Sequence, residues 1–440
     1  MTIQRAIGLL LLWGVCCTGY SQIQPQRPPF WLGPVDSIVV CGNNHTRPYV
    51  ILNEMSIVAG ERFTPEMIEF DRNRIYSLGL FTSVDLFLDT LGARSILRVL
   101  VGERWYVFPV PLFGFRDGDY ERAYYGAGLY HNNFQGRNQK LFGSVVFGAD
   151  PSAQLSFADP LINHASQISF GAQLSFSRAR NRSEQEASVT GSFDEFHYDG
   201  NISTGKRFGL YQYVGLNAGY RMVEISNYRP NRTVAVDGID RYLYASASYF
   251  YDSRDLAEYP TKGDYVYGYF ARFGFGTSEV NFNRFGLDLR EYFSLPLSLT
   301  LAVRLNATFM TGGEIPTYAH MYLGYGERVR GYFTTVFEGE HLACSTVELR
   351  YPIFPAQVFR LTNSILPDEF SVWRFGIGLV LFADAGTTWY RGQRVSPESI
   401  ASGYGGGVDF LLPYGAVVRT SYAWNNYGKG QFILDFRHAI

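Results

Sequence analysis

From about residue 105 to the end of the chain, apolar and polar residues alternate over long segments. In segment 299–309 the odd-numbered residues are apolar, whereas the even-numbered ones include Arg304 and Asn306. Successive side chains of a β-strand point to opposite faces, so this pattern predicts strands with one apolar and one polar face. Many such segments reach about ten residues, the length of a tilted membrane-spanning strand, whereas strands in soluble sandwiches average about five to six.

The polar face of these predicted strands carries many charges, as the lining of a water-filled barrel does. Only a closed barrel places strands in lipid without exposing backbone polar groups. After residue 21, no apolar run approaches the ~18 residues that a membrane-spanning helix needs. The charged residues that we assign to the lumen are Arg272, Arg304, Glu348, Arg350, Asp384, Asp409, Arg419, Asp435 and Arg437.

The length of the alternating region sets the number of strands. At about 20 residues per strand and turn, residues 106–440 hold close to sixteen strands. Segment 183–207 could form one strand with a loop or two short strands, so a count of seventeen stays open, although bacterial barrels favour even numbers. We predict an all-β transmembrane β-barrel of about 16 antiparallel strands over 105–440, with an infolded loop at 311–340.

The N-terminal 35 residues are unlike the rest. Arg5, an apolar run and a small-residue site before Gln22 are typical of a secretory signal peptide over 1–21. A lipoprotein signal ending at Cys16 or Cys17 is the alternative. Residues 22–35 hold four prolines and suit an extended linker. Cleavage at Gln22 would leave two cysteines in different domains, which implies no disulfide framework.

Residues 36–104 predict a small α+β domain. Ser37–Cys41 is a β-branched strand, Thr46 precedes Pro48 as a helix-start signal, and Thr64 precedes Pro65 as a second one. Two alternating segments follow, near 84–88 and 97–101, which gives the order βααββ. The stretches Val40-Cys41-Gly42-Asn43, Gly60-Glu61-Arg62-Phe63 and Gly79-Leu80-Phe81-Thr82-Ser83-Val84 resemble a POTRA domain, the periplasmic module of outer-membrane assembly proteins.

Four stretches of the barrel region match a known family in the right order. They are Asp252-Ser253-Arg254-Asp255 with Tyr259-Pro260-Thr261-Lys262-Gly263, Val329-Arg330-Gly331-Tyr332, Phe382-Ala383-Asp384-Ala385-Gly386, and Gly405-Gly406-Gly407-Val408-Asp409. Together with the POTRA-like unit, they resemble the BamA/TamA family of outer-membrane assembly and translocation proteins, also called the bacterial surface antigen family. The resemblance covers essentially the whole barrel.

The resemblance implies that residues 329–332, which we call the latch, lie at the tip of a loop that folds into the lumen. Arg330 would then bind Asp384, with Glu348 and Gly386 as further acceptors on the receiving strands. The alternation agrees independently, because Leu379, Leu381 and Ala383 share the lipid face and so turn Asp384 inward. A pair that only makes a pore plug rigid is the alternative. The hairpin motif comprises Asp252, Arg254, Asp255, Pro260 and Gly263.

The first predicted barrel strand contains Pro109 and Pro111, whose missing N–H groups would face the same sheet edge. If that edge faces the last strand, where Phe432, Leu434 and Phe436 alternate, the barrel has a weak seam. The resemblance implies a lateral gate there, at which a substrate strand adds by edge pairing. A kinked start to the barrel explains the prolines equally well. The chain continues past Phe436 to Ile440, unlike the family's common aromatic end.

These observations predict a non-enzymatic insertase or translocase in the outer membrane of a Gram-negative-type bacterium. Its expected partners are the bilayer, unfolded outer-membrane or secreted polypeptides reaching the POTRA domain and seam, and accessory periplasmic or lipoprotein subunits. We expect no cofactor, metal or nucleic acid, because hydrolase, zincin and phosphate-loop motifs are missing from the sequence and the seven histidines lack ligand spacing. The alternative is a passive or plugged porin with a periplasmic docking domain.

Overall fold

The structure is a computed structural model. It describes residues 33–91, 94–115, 122–183, 186, 188, 191–276, 279–360, 372–412 and 416–435. The predicted signal peptide, most of the predicted linker and Phe436 lie outside these residues. Within the described part of the chain, no helix is long and apolar enough to cross a membrane.

The N-terminal domain, residues 36–104, packs two helices on a three-stranded sheet. The strand order is β1-β3-β2, with β1 parallel and β2 antiparallel to β3. Phe63, Ile75 and Leu97 are fully buried in its core. The predicted order βααββ is therefore confirmed. Its elements are β1 (Ser37–Cys41), α1 (Pro48–Leu52), α2 (Pro65–Ser77), β2 (Phe81–Leu91) and β3 (Arg94–Glu103).

The two helix-start signals of this domain behave differently. Thr64 caps α2, since its side chain accepts a hydrogen bond from the Met67 amide at 3.4 Å. Thr46 does not cap α1, so that prediction is wrong. Its hydroxyl instead contacts Tyr106 at 3.0 Å and accepts from Asn133 at 2.9 Å. Thr46 thus connects the N-terminal domain to the barrel.

In the described part of the chain, sixteen antiparallel strands form one sheet, which confirms the predicted number. Their order in the sheet follows their order in the chain, and the two short strands that lie between the eleventh and the twelfth are not part of this sheet. The described residues of segment 183–207 form one strand, β9 (Asp194–Phe208), rather than two short ones.

The strand bounds describe a wall of long strands with a short strand at its end. The strands are β4 (Val107–Phe115), β5 (Ala123–Phe134), β6 (Gln139–Gly148), β7 (Ser152–Asn163), β8 (Ile168–Arg180), β9 (Asp194–Phe208), β10 (Gln212–Ile225), β11 (Ile239–Asp252), β12 (Gly263–Phe273), β13 (Phe282–Ser294), β14 (Thr300–Gly312), β17 (His341–Arg360), β18 (Val372–Trp389), β19 (Ala401–Leu411), β20 (Val417–Asn425) and β21 (Gly430–Asp435).

Side chains of the wall alternate between an exposed apolar face and a buried, charged face. On β17, Val347 and Tyr351 are exposed, whereas Glu348 and Arg350 are buried. The prediction for Arg272 is wrong, because Ala271 and Phe273 are the buried residues of that strand and Arg272 faces outward. Strand β12 carries aromatic residues on its inner face, so apolarity alone did not identify the lipid side.

The N-terminal domain sits against the turns at one end of the barrel. Glu54 binds Arg207 near the end of β9 at 2.6 Å, and Arg74 donates to the Leu210 carbonyl of the β9–β10 turn at 2.8 Å. Near the β5–β6 turn, the Arg47 amide donates to the Gly136 carbonyl at 2.8 Å. The domain therefore marks the end of the barrel from which the chain enters.

Candidate functional site

The loop between β14 and β17 folds back into the lumen and packs against the inner wall of the barrel. It forms a small hairpin of β15 (Met321–Leu323) and β16 (Phe337–Gly339). Residues Val329 and Tyr332 of the latch pack with Leu342 and Ala401 on the inner wall. The tip turns at Gly331, whose φ of 99° disfavours residues with a Cβ. The loop is thus held by apolar contacts on both sides of Arg330.

Arg330 makes the densest set of contacts in this loop. Its Nε and Nη2 donate to the two Asp384 carboxylate oxygens at 2.8 and 2.7 Å, and its backbone N–H donates to Oδ2 at 2.9 Å. Its Nη1 donates to Glu348 Oε1 at 2.6 Å. Its guanidinium carbon lies 3.7 Å from the centre of the Phe382 ring. The paired fork geometry makes these bonds strong and directional.

Glu348 is shared by three arginines, although it is completely buried. Besides Arg330, it accepts from Arg350 Nε at 2.9 Å and from Arg419 Nη1 at 2.9 Å. Arg419 also donates to Asp409 at 2.7 Å. We call this group the latch cluster: Arg330, Arg350, Arg419, Glu348, Asp384 and Asp409.

The latch cluster is balanced in charge, with three guanidinium groups against three carboxylates. Such balance matters because burying an unpaired charge is costly, whereas a paired and hydrogen-bonded one is tolerated. The lumenal charges assigned from the sequence therefore do not simply face water. The loop contributes only Arg330 to the cluster, so its departure would leave the remaining groups with one excess negative charge.

Gly386 was predicted to be a further acceptor for the latch, but it has a different role in the structure. It contributes space: a Cβ built there would lie 2.9 Å from Leu323, 3.1 Å from Val329 and 3.1 Å from Cys344. Gly403, on the neighbouring strand, likewise leaves room for the Arg330 carbonyl. The glycines of these strands let the loop backbone approach the wall closely.

The predicted hairpin motif forms the turn between β11 and β12, beside the N-terminal domain. Arg254 binds Asp252 with two bonds of 2.8 and 2.7 Å. Asp255 accepts from the Thr261 amide and hydroxyl at 2.9 and 2.6 Å. Gly263 has a φ of 100°, where a Cβ would clash with the preceding turn. These contacts define the shape of the turn.

The same turn reaches the latch cluster from the side opposite to the loop. The Pro260 carbonyl accepts from Arg350 at 3.4 Å, and the Tyr259 hydroxyl donates to Asp409 at 3.0 Å. The structure thus brings together two motifs that are 70 residues apart in the sequence. The hydrogen bond from Tyr259 to Asp409 was not predicted, although Tyr259 lies inside the matched stretch.

A second loop anchor was missed by sequence reasoning. Glu327 accepts from Arg304 of β14 at 2.9 and 2.8 Å, and Arg304 also binds Asp288. Its signal in the sequence is an acid three residues before Arg330. Because Arg304 was already assigned to the lumen, this acid could have been predicted to pair with it. Near its tip, the loop is therefore held by Arg330 and by Glu327.

The loop tip also contacts the last strands of the sheet. The Phe333 amide donates to the Gln431 side chain of β21 at 3.0 Å. The Phe333 ring packs with Ala423 and Ile433. Tyr332 hydrogen-bonds to Asn426 in the β20–β21 turn. The latch cluster and the end of the sheet are thus joined through one short segment.

The predicted seam residues lie on the two terminal strands of the sheet. Pro109 and Pro111 are in β4 and pair with Leu129 and Ala127 of β5. Phe432 and Leu434 of β21 are exposed on the outer face. Among the residues that the structure describes, no ladder joins β4 to β21. Phe436 lies beyond the described residues.

Within the same residues, no group of three or more His, Cys, Asp or Glu is arranged to hold a metal ion.

Family models match both parts of the chain. Residues 133–437 match the Omp85 superfamily domain, and residues 34–92 match the POTRA family, described as the surface antigen variable number repeat. Outer membrane protein assembly factor BamA of Nitratidesulfovibrio vulgaris is 25% identical over 321 residues, which cover 68% of this chain and 37% of BamA. The chain spans little more than a third of that relative's length.

Solved structures share the fold at low sequence identity. The crystal structure of BamA from Haemophilus ducreyi lacking POTRA domains 1–3 gives a TM-score of 0.53 at 16% identity, covering 91% of this chain and 83% of that one. CdiB from Escherichia coli gives a TM-score of 0.55 at 13% identity, covering 92% and 74%. These likenesses show the fold alone.

Proposed function

The chain belongs to the Omp85 superfamily, and from that premise we propose that it inserts or translocates other polypeptides at the outer membrane through a gated seam. The protein is an outer-membrane β-barrel with its POTRA domain in the periplasm. The gate lies between β4 and β21, and the latch regulates it. The observation that carries the proposal is that Arg330 binds Asp384 and Glu348 while the next residues of its loop contact β21.

The terminal strands support edge pairing with an incoming strand. The ladder between β4 and β5 continues through Pro109 and Pro111 without a register shift. A proline facing β5 would remove a ladder bond, so this continuity favours placing the missing N–H groups at the free edge. An edge with few donors pairs weakly with β21, and a substrate strand can therefore replace one partner by β-augmentation.

The POTRA domain supports a role in delivery. Its β1 and β2 are the outer strands of its sheet, and the domain is bound to the periplasmic turns of the barrel through Glu54 and Arg207. Exposed strand edges pair readily with extended polypeptides. Unfolded outer-membrane or secreted polypeptides are the proposed substrates, and accessory periplasmic or lipoprotein subunits are proposed partners. No nucleotide or metal is required, because edge pairing itself supplies the driving force.

The test compares Arg330→Ala with Arg221→Ala in liposomes that are given an unfolded outer-membrane β-barrel polypeptide. Arg221 is a matched control, because it also binds a lumenal acid, Asp199, at 2.9 Å, but on β9 and β10 rather than on the strands that bind Arg330. We expect Arg330→Ala to reduce the folded product several-fold and Arg221→Ala to leave it nearly unchanged. Equal yields from the two variants would contradict a regulatory latch.

Conductance distinguishes the proposal from a passive porin. A barrel closed by the latch should give small and irregular openings, whereas a porin should give large and steady ones. Large, steady openings of the unaltered protein, together with no assembly of the polypeptide, would favour the porin.

A further inference from the structure

Helix α2 of the POTRA domain ends against the turn between β11 and β12. Ser77, the last residue of the helix, accepts a hydrogen bond from the Ala257 amide at 3.4 Å through its hydroxyl. Arg374 of β18 contacts both sides, since its guanidinium carbon lies 5.5 Å from the centre of the Tyr76 ring and its side chain forms an ion pair with Glu258. These five residues form what we call the α2 junction.

The next two residues of the same turn bind the latch cluster. The Tyr259 hydroxyl donates to Asp409 Oδ2 at 3.0 Å, and the Pro260 carbonyl accepts from Arg350 at 3.4 Å. The Arg350 guanidinium carbon lies 4.9 Å from the centre of the Tyr259 ring. Gly378 of β18 leaves room for this arrangement, because a Cβ there would lie 2.9 Å from the Tyr259 hydroxyl. Four consecutive residues therefore contact the α2 junction at one end and the latch cluster at the other.

The bond from Tyr259 is linked to the latch through shared acceptor atoms. Asp409 is completely buried, and its Oδ2 accepts from Arg419 at 3.1 Å as well as from Tyr259. Arg419 donates in turn to Glu348 Oε1 at 2.9 Å, the same oxygen that accepts from Arg330 at 2.6 Å. Bonds in such a network strengthen one another, and a buried charge that loses a partner is costly. Displacing the turn would therefore weaken the arrangement that binds Arg330.

We propose that the α2 junction regulates the latch through Tyr259. While α2 packs on the turn, Tyr259 and Pro260 stay bound to the latch cluster, and the cluster keeps the geometry that holds the loop. When a partner draws the POTRA domain away, Tyr259 leaves Asp409, the cluster loosens and the loop separates from β21. Tyr259 is a positioning residue, because it acts on the loop through other side chains. This regulation rests on the proposed function of the latch and adds the signal that releases it.

A second contact of the same helix provides a matched control. Phe70 of α2 packs on Tyr211 of the β9–β10 turn, with ring centres 5.9 Å apart. This contact also attaches the domain to the barrel, but Tyr211 lies in a different turn from Tyr259. Loss of either aromatic contact loosens the domain, whereas only loss of the Tyr76 ring acts at the α2 junction. General loosening and the route through Tyr259 can thus be distinguished.

The test measures amide hydrogen exchange at the loop tip, in the full chain in detergent micelles. The Arg330 amide donates to Asp384, and the Phe333 amide donates to the Gln431 side chain, so both are protected while the loop is docked. This readout needs no substrate polypeptide. The regulation can therefore fail while assembly of the polypeptide persists, and assembly can fail while the regulation holds.

The variants remove one contact each. Tyr76→Leu keeps an apolar side chain for the core of the domain but removes the ring next to Arg374, and Phe70→Leu is its control. Each is measured alone and together with Tyr259→Phe, which keeps the ring at 259 and removes the hydroxyl that binds Asp409.

We expect Tyr76→Leu to speed exchange at the loop tip by roughly threefold or more and Phe70→Leu to leave it unchanged. Tyr259→Phe alone should also speed exchange, and Tyr76→Leu should then add little, because the two changes act on one route. Equal acceleration by the two leucine variants would overturn the α2 junction as the signal. Fully additive effects of Tyr76→Leu and Tyr259→Phe would overturn the route through Tyr259.

A change on the barrel side guards against misfolding of the POTRA domain. Arg374→Gln removes the ion pair with Glu258 and the contact with Tyr76, and it leaves every residue of the domain in place. We expect it to speed exchange at the loop tip as Tyr76→Leu does. Exchange that is unchanged or slower in both variants would overturn the proposal.

Discussion

Backbone hydrogen bonding differs between two regions of the sheet. Strands β8 and β9 lie within the wall, whereas β4 and β21 are the terminal strands. The β8–β9 ladder is continuous from Ile168 to Arg180. In contrast, β21 has six residues, and within the described chain it pairs with β20 alone. Its inner face is instead covered by the loop, through Phe333 and Gln431. Side-chain contacts therefore stabilise the seam side of the barrel, whereas backbone pairing stabilises the rest.

This difference explains why the latch cluster lies where it does. Asp384 is on β18, Asp409 on β19 and Arg419 on β20, so the cluster spans the strands that lead to the seam. Charged hydrogen bonds are directional, and removing one partner weakens all of them. A support of this kind can be released by one conformational step, whereas a ladder of backbone bonds cannot.

The largest effect is expected from Glu348→Ala, because it leaves three buried arginines with two carboxylates. Breaking a buried pair costs ~3–5 kcal/mol, so the free energy of unfolding should fall by about that amount in urea titrations of the micellar protein. Amide hydrogen exchange should speed up first in β19–β21, while β8 and β9 stay protected. Asp199→Ala is the control on the wall, and a uniform loss of protection in the Glu348 variant would contradict the contrast between the two regions.

Arg330→Ala should release the loop and leave the barrel folded. Each charged hydrogen bond contributes ~1.5–3 kcal/mol, so the docked population should fall roughly tenfold or more. A cysteine at 329 can report this, because Val329 and the native Cys344 both border Gly386. In a Cys41→Ser/Val329→Cys background, crosslinking to Cys344 should decrease strongly when Arg330 is replaced. An unchanged yield would show that the apolar contacts alone hold the loop.

Pro109→Ala/Pro111→Ala should make the seam more like the wall. Restored N–H groups at a free edge allow more ladder bonds to β21, so assembly of the polypeptide should slow by a few-fold. Pro160→Ala is the control, since Pro160 lies in β7, where the register is already interrupted. Activity equal to that of the unaltered protein would leave a kinked start of the barrel as the role of the prolines.

The smallest effect is expected at the joint between the POTRA domain and the barrel. Burial acts to raise the pKa of Glu103, but hydrogen bonds from Thr46 and His45 outweigh it and lower the pKa below its ordinary value. This stability is present at neutral pH and is lost as pH falls through the folded-state pKa, which lies below the ordinary pKa of a glutamate. Helical circular dichroism reports this domain, and its urea midpoint should depend less on pH in Glu103→Gln. An unaltered pH dependence would exclude Glu103 as its source.

Much of the fold could be predicted because its signals are local. Strand alternation, helix-start residues and turn glycines each act within a few positions, and they predicted the long strands and the order of the POTRA elements. The number sixteen followed from the length of the alternating region. The pairing of Arg330 with Asp384 could be anticipated from strand parity and family resemblance. Whether that pair regulates a gate stays a prediction.

Other features depend on contacts between distant segments. Glu327 and Tyr259 were missed because their partners, Arg304 and Asp409, lie on other strands. Thr46 was misassigned because a local cap competed with a contact to the barrel. Gly386 was expected to accept a bond, but the space it leaves is visible only once the loop is packed against it.

The sequence by itself determined which residues form strands and which faces of most strands are apolar, because that information repeats every two residues. Only the tertiary structure decided that Glu348 collects three arginines and that Arg272 points outward. Hydrogen bonding between side chains depends on distances between strands that are far apart in the chain, and a strand with aromatic residues on its inner face carries no reliable mark of its lipid side.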